Sequence, residues 1–154
     1  MNPKIHRKAL DKGIAPEEIE IGDALRYTMV SDNPKTAIKA FEEALRDLEG
    51  QGHEVLQIAN SWSDGNAYQG INVDVKSPEG LTWELQFHTS ESFDLKMANH
   101  ADYEVMRDIE TSPTDRYEAW LRMVTSWQPV EKPAGWENFG EVVNYPKPDK
   151  PTTS

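Results

Sequence analysis

The stretch Y68-Q-G-I-N-V-D-V-K-S-P-E-G-L-T-W-E-L-Q-F-H-T89 decides the fold. Apolar Ile71, Val73 and Val75, then Trp83, Leu85 and Phe87, alternate with polar Asn72, Asp74 and Lys76, then Glu84, Gln86 and His88. A period of two marks half-buried strands. S77-P-E-G80 supplies the Pro and Gly of a tight turn, so the two runs form a hairpin. Its apolar side chains are buried together only if the odd positions of both strands point one way. That register gathers Asn72, Asp74, Glu84, Gln86 and His88 on the other face. Two readings fit such a face. One is the solvated side of an antiparallel sheet. The other is a binding surface, because it collects oxygen acceptors and short donors suited to a metal ion and a sugar hydroxyl. Trp62 and Tyr68, in the Gly- and Asn-containing loop upstream, offer flat rings on which a base could stack.

Outward from the hairpin, D23-A-L-R-Y-T-M-V30 reads as a strand and H53-E-V-L-Q-I-A-N-S-W62 as another. Between them, S31-D-N-P opens a helix with Asp32 or Asn33 as cap and Pro34 in the first turn. Ile38, Phe41, Leu45 and Leu48 form its apolar stripe, and Gly50 and Gly52 end it. Thr89 or Ser90 caps a helical region carrying Phe93, Met97, Tyr103, Met106 and Ile109, with Met97 and Met106 expected in the core. S112-P-T-D begins a last helix with Tyr117, Trp120, Leu121, Val124 and Trp127, and residues 2–12 suit a short basic helix. The order predicts an α+β fold, a mixed four- to five-stranded sheet with helices packed mainly on one face. The domain is expected to span 1–128. Residues 129–154 form a Pro-rich tail, partly packed through Trp136 and Phe139 and then disordered.

A chain of 154 residues is long enough to bury one sizeable core. The absence of cysteine excludes thiolate chemistry and Cys-based metal sites, and the four His residues lack zinc-ligand spacing. A net charge of -11 argues against gripping a nucleic-acid backbone, which needs clustered cations. A free nucleotide needs only a few local cations. Neither a signal peptide nor a membrane span is legible, which suits a cytoplasmic protein or one delivered or secreted as part of a longer toxin.

The polar positions carry a family resemblance. Y68-Q-G-I-N72 resembles the G-Y-R-S-L-H motif of the RelA/SpoT synthetase family, with Asn72 where the family has His. E84-L-Q-F-H-T89 resembles its E-x-Q-x-R-T, with His88 in place of Arg. D23-A-L-R26 is similar to D-x-x-G-x-R, although the Asp stands three rather than five positions before the Arg. K4-I-H-R-K8 is similar to the S-I-x-x-K helix start without its Ser, and H100-A-D-Y103 to A-x-H-x-x-Y. The likeness runs from about residue 4 to 127, and its variant forms look most like nucleotide pyrophosphokinases and toxin-type synthetase domains.

The resemblance implies transfer of pyrophosphate from ATP to the 3′-hydroxyl of a purine nucleotide, giving a (p)ppGpp- or (p)ppApp-like alarmone and AMP. Asp23 and Glu84 are the implied Mg²⁺ ligands, with Glu84 also the proton acceptor. Arg7, Lys8, Arg26 and Lys96, with Lys12 beside them, are the implied ATP-phosphate contacts. Tyr68 would stack on the acceptor base, and Asn72, Gln86, His88 and His100 would hold its ribose and phosphates. Plain structural roles compete: a cap for Asp23, a surface ion pair for Arg26, a solvated helix face for Arg7 and Lys8, a buried hydrogen-bonded His100. His for Arg at 88 implies weaker phosphate binding. The family's basic residues upstream of the first helix have no counterpart, which suits a shorter relative or a domain cut from a longer protein and puts ATP affinity in question. Two other functions fit the same residues: a nucleotide-binding module without turnover, and a toxin that pyrophosphorylates tRNA. A toxin would bring a cognate antitoxin or immunity protein as partner.

Overall fold

The computed structural model describes residues 14–16 and 25–151. Six strands form one mixed sheet in the order β1-β2-β5-β4-β3-β6. These are β1 (Ile14–Pro16), β2 (Leu25–Ser31), β3 (Glu54–Asn60), β4 (Ile71–Lys76), β5 (Thr82–Thr89) and β6 (Glu141–Val142). Helices α1 (Ala37–Gly50), α2 (Ser90–Ala98), α3 (His100–Arg107) and α4 (Pro113–Trp127) complete the α+β fold, with a 3₁₀ turn at Trp136–Asn138. The sheet is wider than expected by its two short edge strands. β6 is two residues held on β3, too short to show any periodicity in the sequence.

The hairpin has the expected register. Ile71, Val73 and Val75 pair with Phe87, Leu85 and Trp83, and all six are buried. The Ser77 N–H donates to Leu81 O and the Gly80 N–H to Ser77 O, and Gly80 takes φ 88°, the left-handed value its turn position requires. α1 closes this apolar face through Phe41, Ala44, Leu45 and Leu48, with Phe41 stacked on Phe87 at 4.4 Å between ring centroids. The helix begins later than expected. Residues 34–36 form a turn, Thr36 is the N-cap without a side-chain hydrogen bond, and Asn33 Oδ1 instead accepts from the Lys35 N–H.

After β5 the chain turns at once into α2. Thr89 caps it in a reciprocal box, its hydroxyl accepting from the Ser92 N–H while Ser92 Oγ accepts from the Thr89 N–H. The expected single helical region breaks at Asn99 into α2 and α3. Met106 is buried, but Met97 is more than half exposed, and Ile109, beyond the end of α3, is exposed too. An apolar stripe read across 93–109 therefore crosses a change of helix axis. Trp62 is also placed differently: it has no exposed surface and packs edge-to-face on Trp127 at 6.1 Å. It is a core residue and not a stacking platform.

Residues beyond α4 are bound to the domain by two buried amides. Asn60 Nδ2 donates to Trp136 O (2.8 Å) and Phe139 O (2.9 Å), and Phe139 joins the main core. Asn66 Nδ2 donates to Val143 O (3.2 Å), while its Oδ1 accepts from the Tyr145 N–H (2.9 Å). Among the described residues no helix is long and apolar enough to cross a membrane.

Candidate functional site

The polar face is a set of rungs fixed by strand register. β2 lies parallel to β5, which pairs antiparallel with β4, so Arg26, Glu84 and Asp74 share one rung and Thr28, Gln86 and Asn72 the next. Val30 and His88 begin a third. Even-numbered positions of three strands thus converge where the sequence suggested two.

Side-chain bonds link these rungs into a chain. Arg26 Nε lies 3.1 Å from Glu84 Oε1, and the same oxygen accepts from Gln86 Nε2 at 3.1 Å. Gln86 Oε1 accepts from Lys96 Nζ at 2.7 Å. An amide between a carboxylate and an ammonium has one orientation that serves both, NH₂ toward Glu84 and oxygen toward Lys96. Lys96 reaches the face because Thr89 fixes the start of α2, leaving Ser92 and Lys96 one turn apart on the side nearest β5. The result is a cation–carboxylate–amide–cation line across the sheet.

A second network adjoins it. Tyr68 Oη donates to Asn72 Oδ1 (2.9 Å) and lies 3.0 Å from His88 Nε2. His88 Nδ1 lies 2.9 Å from Ser92 Oγ. Both ring nitrogens of His88 are thus engaged, Nε2 by the Tyr68 hydroxyl and Nδ1 by the Ser92 hydroxyl. Gly70 permits this packing: a Cβ there would stand 2.6 Å from His88 Cε1 and 2.7 Å from Tyr68 Oη.

The expected site residues therefore separate. Glu84, Gln86, Asn72, Tyr68, Arg26 and Lys96 meet on one face. The Arg26 ion pair expected as a competing reading is present, and its partner is Glu84 itself. His88 shares the face but has no exposed surface, and both ring nitrogens are turned to protein groups. His100 is neither buried nor hydrogen-bonded in the core. Its side chain is exposed beside Glu104, 3.8 Å away on the next turn of α3. Arg7, Lys8, Lys12 and Asp23 lie outside the described residues.

The structure adds Tyr145, which the sequence did not single out. Its ring sits 5.3 Å from that of Tyr68, tilted by 47°. Burial and a hydrogen bond with Tyr103 push its phenol pKa well up, against the opposing pull of Arg107 and Arg26. It is a neutral ring at the edge of the charged rung. No sequence signal marks it, because its contacts arise from a loop some eighty residues upstream.

Mg²⁺ takes hard oxygen ligands and commonly rests on one or two carboxylates plus substrate phosphates. Glu84 and Asp74, directly opposite each other on β5 and β4, supply that donor chemistry. Among the described residues no group of three or more His, Cys, Asp or Glu gathers to enclose a metal without substrate. The residues present fit a metal shared with a nucleotide.

No protein-family profile matches the sequence, and no curated protein matches it. Solved structures do resemble the fold. The small alarmone synthetase 1 from Bacillus subtilis superposes with a TM-score of 0.50 at 18% identity, over 84% of this chain and 67% of that one. The same synthetase bound to its product pppGpp gives 0.46 at 14%, over 82% and 66%. The Type VI effector Tas1, in complex with its immunity protein, gives 0.48 at 15%, over 82% and 86%. The chain thus shares the fold of the small alarmone synthetase and spans about two thirds of its length.

Proposed function

We propose that this protein transfers pyrophosphate from ATP to the 3′-hydroxyl of a purine nucleotide, releasing AMP. The observation that carries the reading is the Arg26–Glu84–Gln86–Lys96 line beside Tyr68 on a synthetase fold. The 3′-oxygen attacks the β-phosphorus of ATP, the bond to the α-phosphate oxygen breaks, and the hydroxyl proton passes to Glu84. Arg26 and Lys96 neutralise phosphate charge. At rest they are held by Glu84 and Gln86, so phosphate oxygens replace partners that already fix the cations in place. Gln86 and Asn72 orient the acceptor ribose, and Tyr68 supports its base. Glu84, with Asp74 and Asp23, would hold Mg²⁺, which supplies charge neutralisation and alignment of the triphosphate. His88 positions the Tyr68 phenol and does not meet phosphate.

The test incubates the protein with ATP, Mg²⁺ and each of GTP, GDP, ATP, ADP and AMP, and identifies products by mass spectrometry. A 3′-pyrophosphorylated nucleotide and stoichiometric AMP are expected, with Glu84→Gln reducing the rate by about 10²–10⁴-fold. Absence of product, with the variant indistinguishable from the parent, removes the proposal. The buried His88 in place of the family's Arg favours a second reading, nucleotide binding without turnover, and calorimetric binding with no product would establish it in place of the first.

A further inference from the structure

We infer that Val143–Tyr145 is an autoinhibitory strap that closes the acceptor site, with the Tyr145 ring standing where the acceptor base would stack. The inference rests on the proposed role of Tyr68. Three rings from the described residues pack around Tyr68. His88 and Trp127 meet it edge-on at 79° and 81°, whereas Tyr145 leans over it at 47° with centroids 5.3 Å apart. Rings at that distance are already in stacking contact, so no base fits between them. The base and Tyr145 are exclusive occupants.

The attachment of the strap suits reversible release. The sheet ladder ends with β6 at Val142, and the Val143 N–H donates to Asn60 O at 2.8 Å. From there one side chain, the Asn66 amide, holds Val143 O and the Tyr145 N–H together. Beyond it, Lys147 lies over the Trp120 ring at 5.4 Å. Tyr145 also packs on the small cluster of Ala67, Met106, Ala119 and Met123 and is hydrogen-bonded to Tyr103. Detaching residues 144–148 breaks the contacts of Tyr145 and Lys147 and leaves the Val143 N–H bond, β6 and the Phe139 anchor untouched. A purine, with a larger stacking surface and a ribose held by Asn72 and Gln86, competes for the same ring.

Two measurements test the strap. Calorimetry with GDP and with ADP, each with Mg²⁺, compares the parent with Tyr145→Ala, and the variant is expected to bind about three- to tenfold more tightly because a competing ring contact is gone. In the unaltered chain, hydrogen exchange at the Tyr145 amide is expected to accelerate on saturation with the nucleotide and to stay unchanged with ribose 5-phosphate, which has no base. Equal or weaker binding by the variant, or slower exchange at Tyr145 with nucleotide, overturns the strap and leaves the transferase proposal standing. If neither protein binds either nucleotide, the transferase proposal falls, and the strap falls with it.

Discussion

Tyr68 Oη and His88 Nε2 meet 3.0 Å apart beside Gly70, the residue whose missing side chain makes room for them. Gly70→Ala forces a methyl to 2.6 Å from the imidazole and 2.7 Å from the phenol, and both rings are held by other partners. The variant is expected to lose about 1–3 kcal/mol of stability, read as a lower urea midpoint, and to lose acceptor binding as Tyr68 turns away.

Placing Arg at position 88 is expected to harm the protein. His88 is fully buried between Tyr68 and Ser92, and His88→Arg puts a longer, permanently charged group into that space. Destabilisation of about 3 kcal/mol or more is expected from an unpaired buried charge, measured by chemical denaturation, with no gain in nucleotide affinity. A variant of unchanged stability that binds ATP more tightly would return His88 to the role of a phosphate contact.

Lys96 is expected to matter for substrate and little for folding. Its ammonium bonds Gln86 from a partly buried position, and Lys96→Met keeps the stem while removing the charge. Turnover is expected to fall about 10- to 100-fold with a thermal midpoint within a few degrees of the parent. Enzyme assays beside a thermal melt check both halves.

His53 predicts a pH dependence of stability. Burial pushes its pKa below the usual 6.5, partly offset by the charge of Glu79. Its Nδ1 accepts from Trp83 Nε1 at 3.3 Å, and its Nε2 has no hydrogen-bond partner among the described residues. The unfolded chain therefore takes up this proton first. The stability is fully present above pH 6.5 and is lost as pH falls through the folded-state value. His53→Gln is expected to flatten the fall in urea midpoint between pH 7.5 and pH 5.5 relative to the parent, and identical slopes would contradict the assignment.

The hairpin was legible because its information is local: period two, a Pro-Gly turn and one register that buries six apolar side chains. That was enough to place Asn72, Asp74, Glu84, Gln86 and His88 on one face. Whether each residue on that face is open to a ligand was not legible, since exposure depends on what packs from elsewhere. Ser92 and Tyr68 enclose His88, and Trp127 and Lys132 enclose Trp62. The same limit hid Tyr145, whose position depends on Asn66 across 79 residues of chain. Arg26 illustrates the intermediate case. Parity left its face open because a strand alone does not say which neighbour it will join, and pairing with β5 settled it.

The parallel pairing of β2 with β5 also bears on how the molecule is made. A parallel pair needs a long crossover, and here α1, β3 and β4 must all be synthesised before Glu84 can meet Arg26. Contacts so distant in sequence form late and slowly. A growing chain on the ribosome therefore exposes Arg26 without Glu84, Gln86 and Lys96 until β5 and α2 have emerged, and no fragment ending before Thr82 contains the linked rungs. The polar rungs assemble in a single event, once β5 and the helix after it have been made.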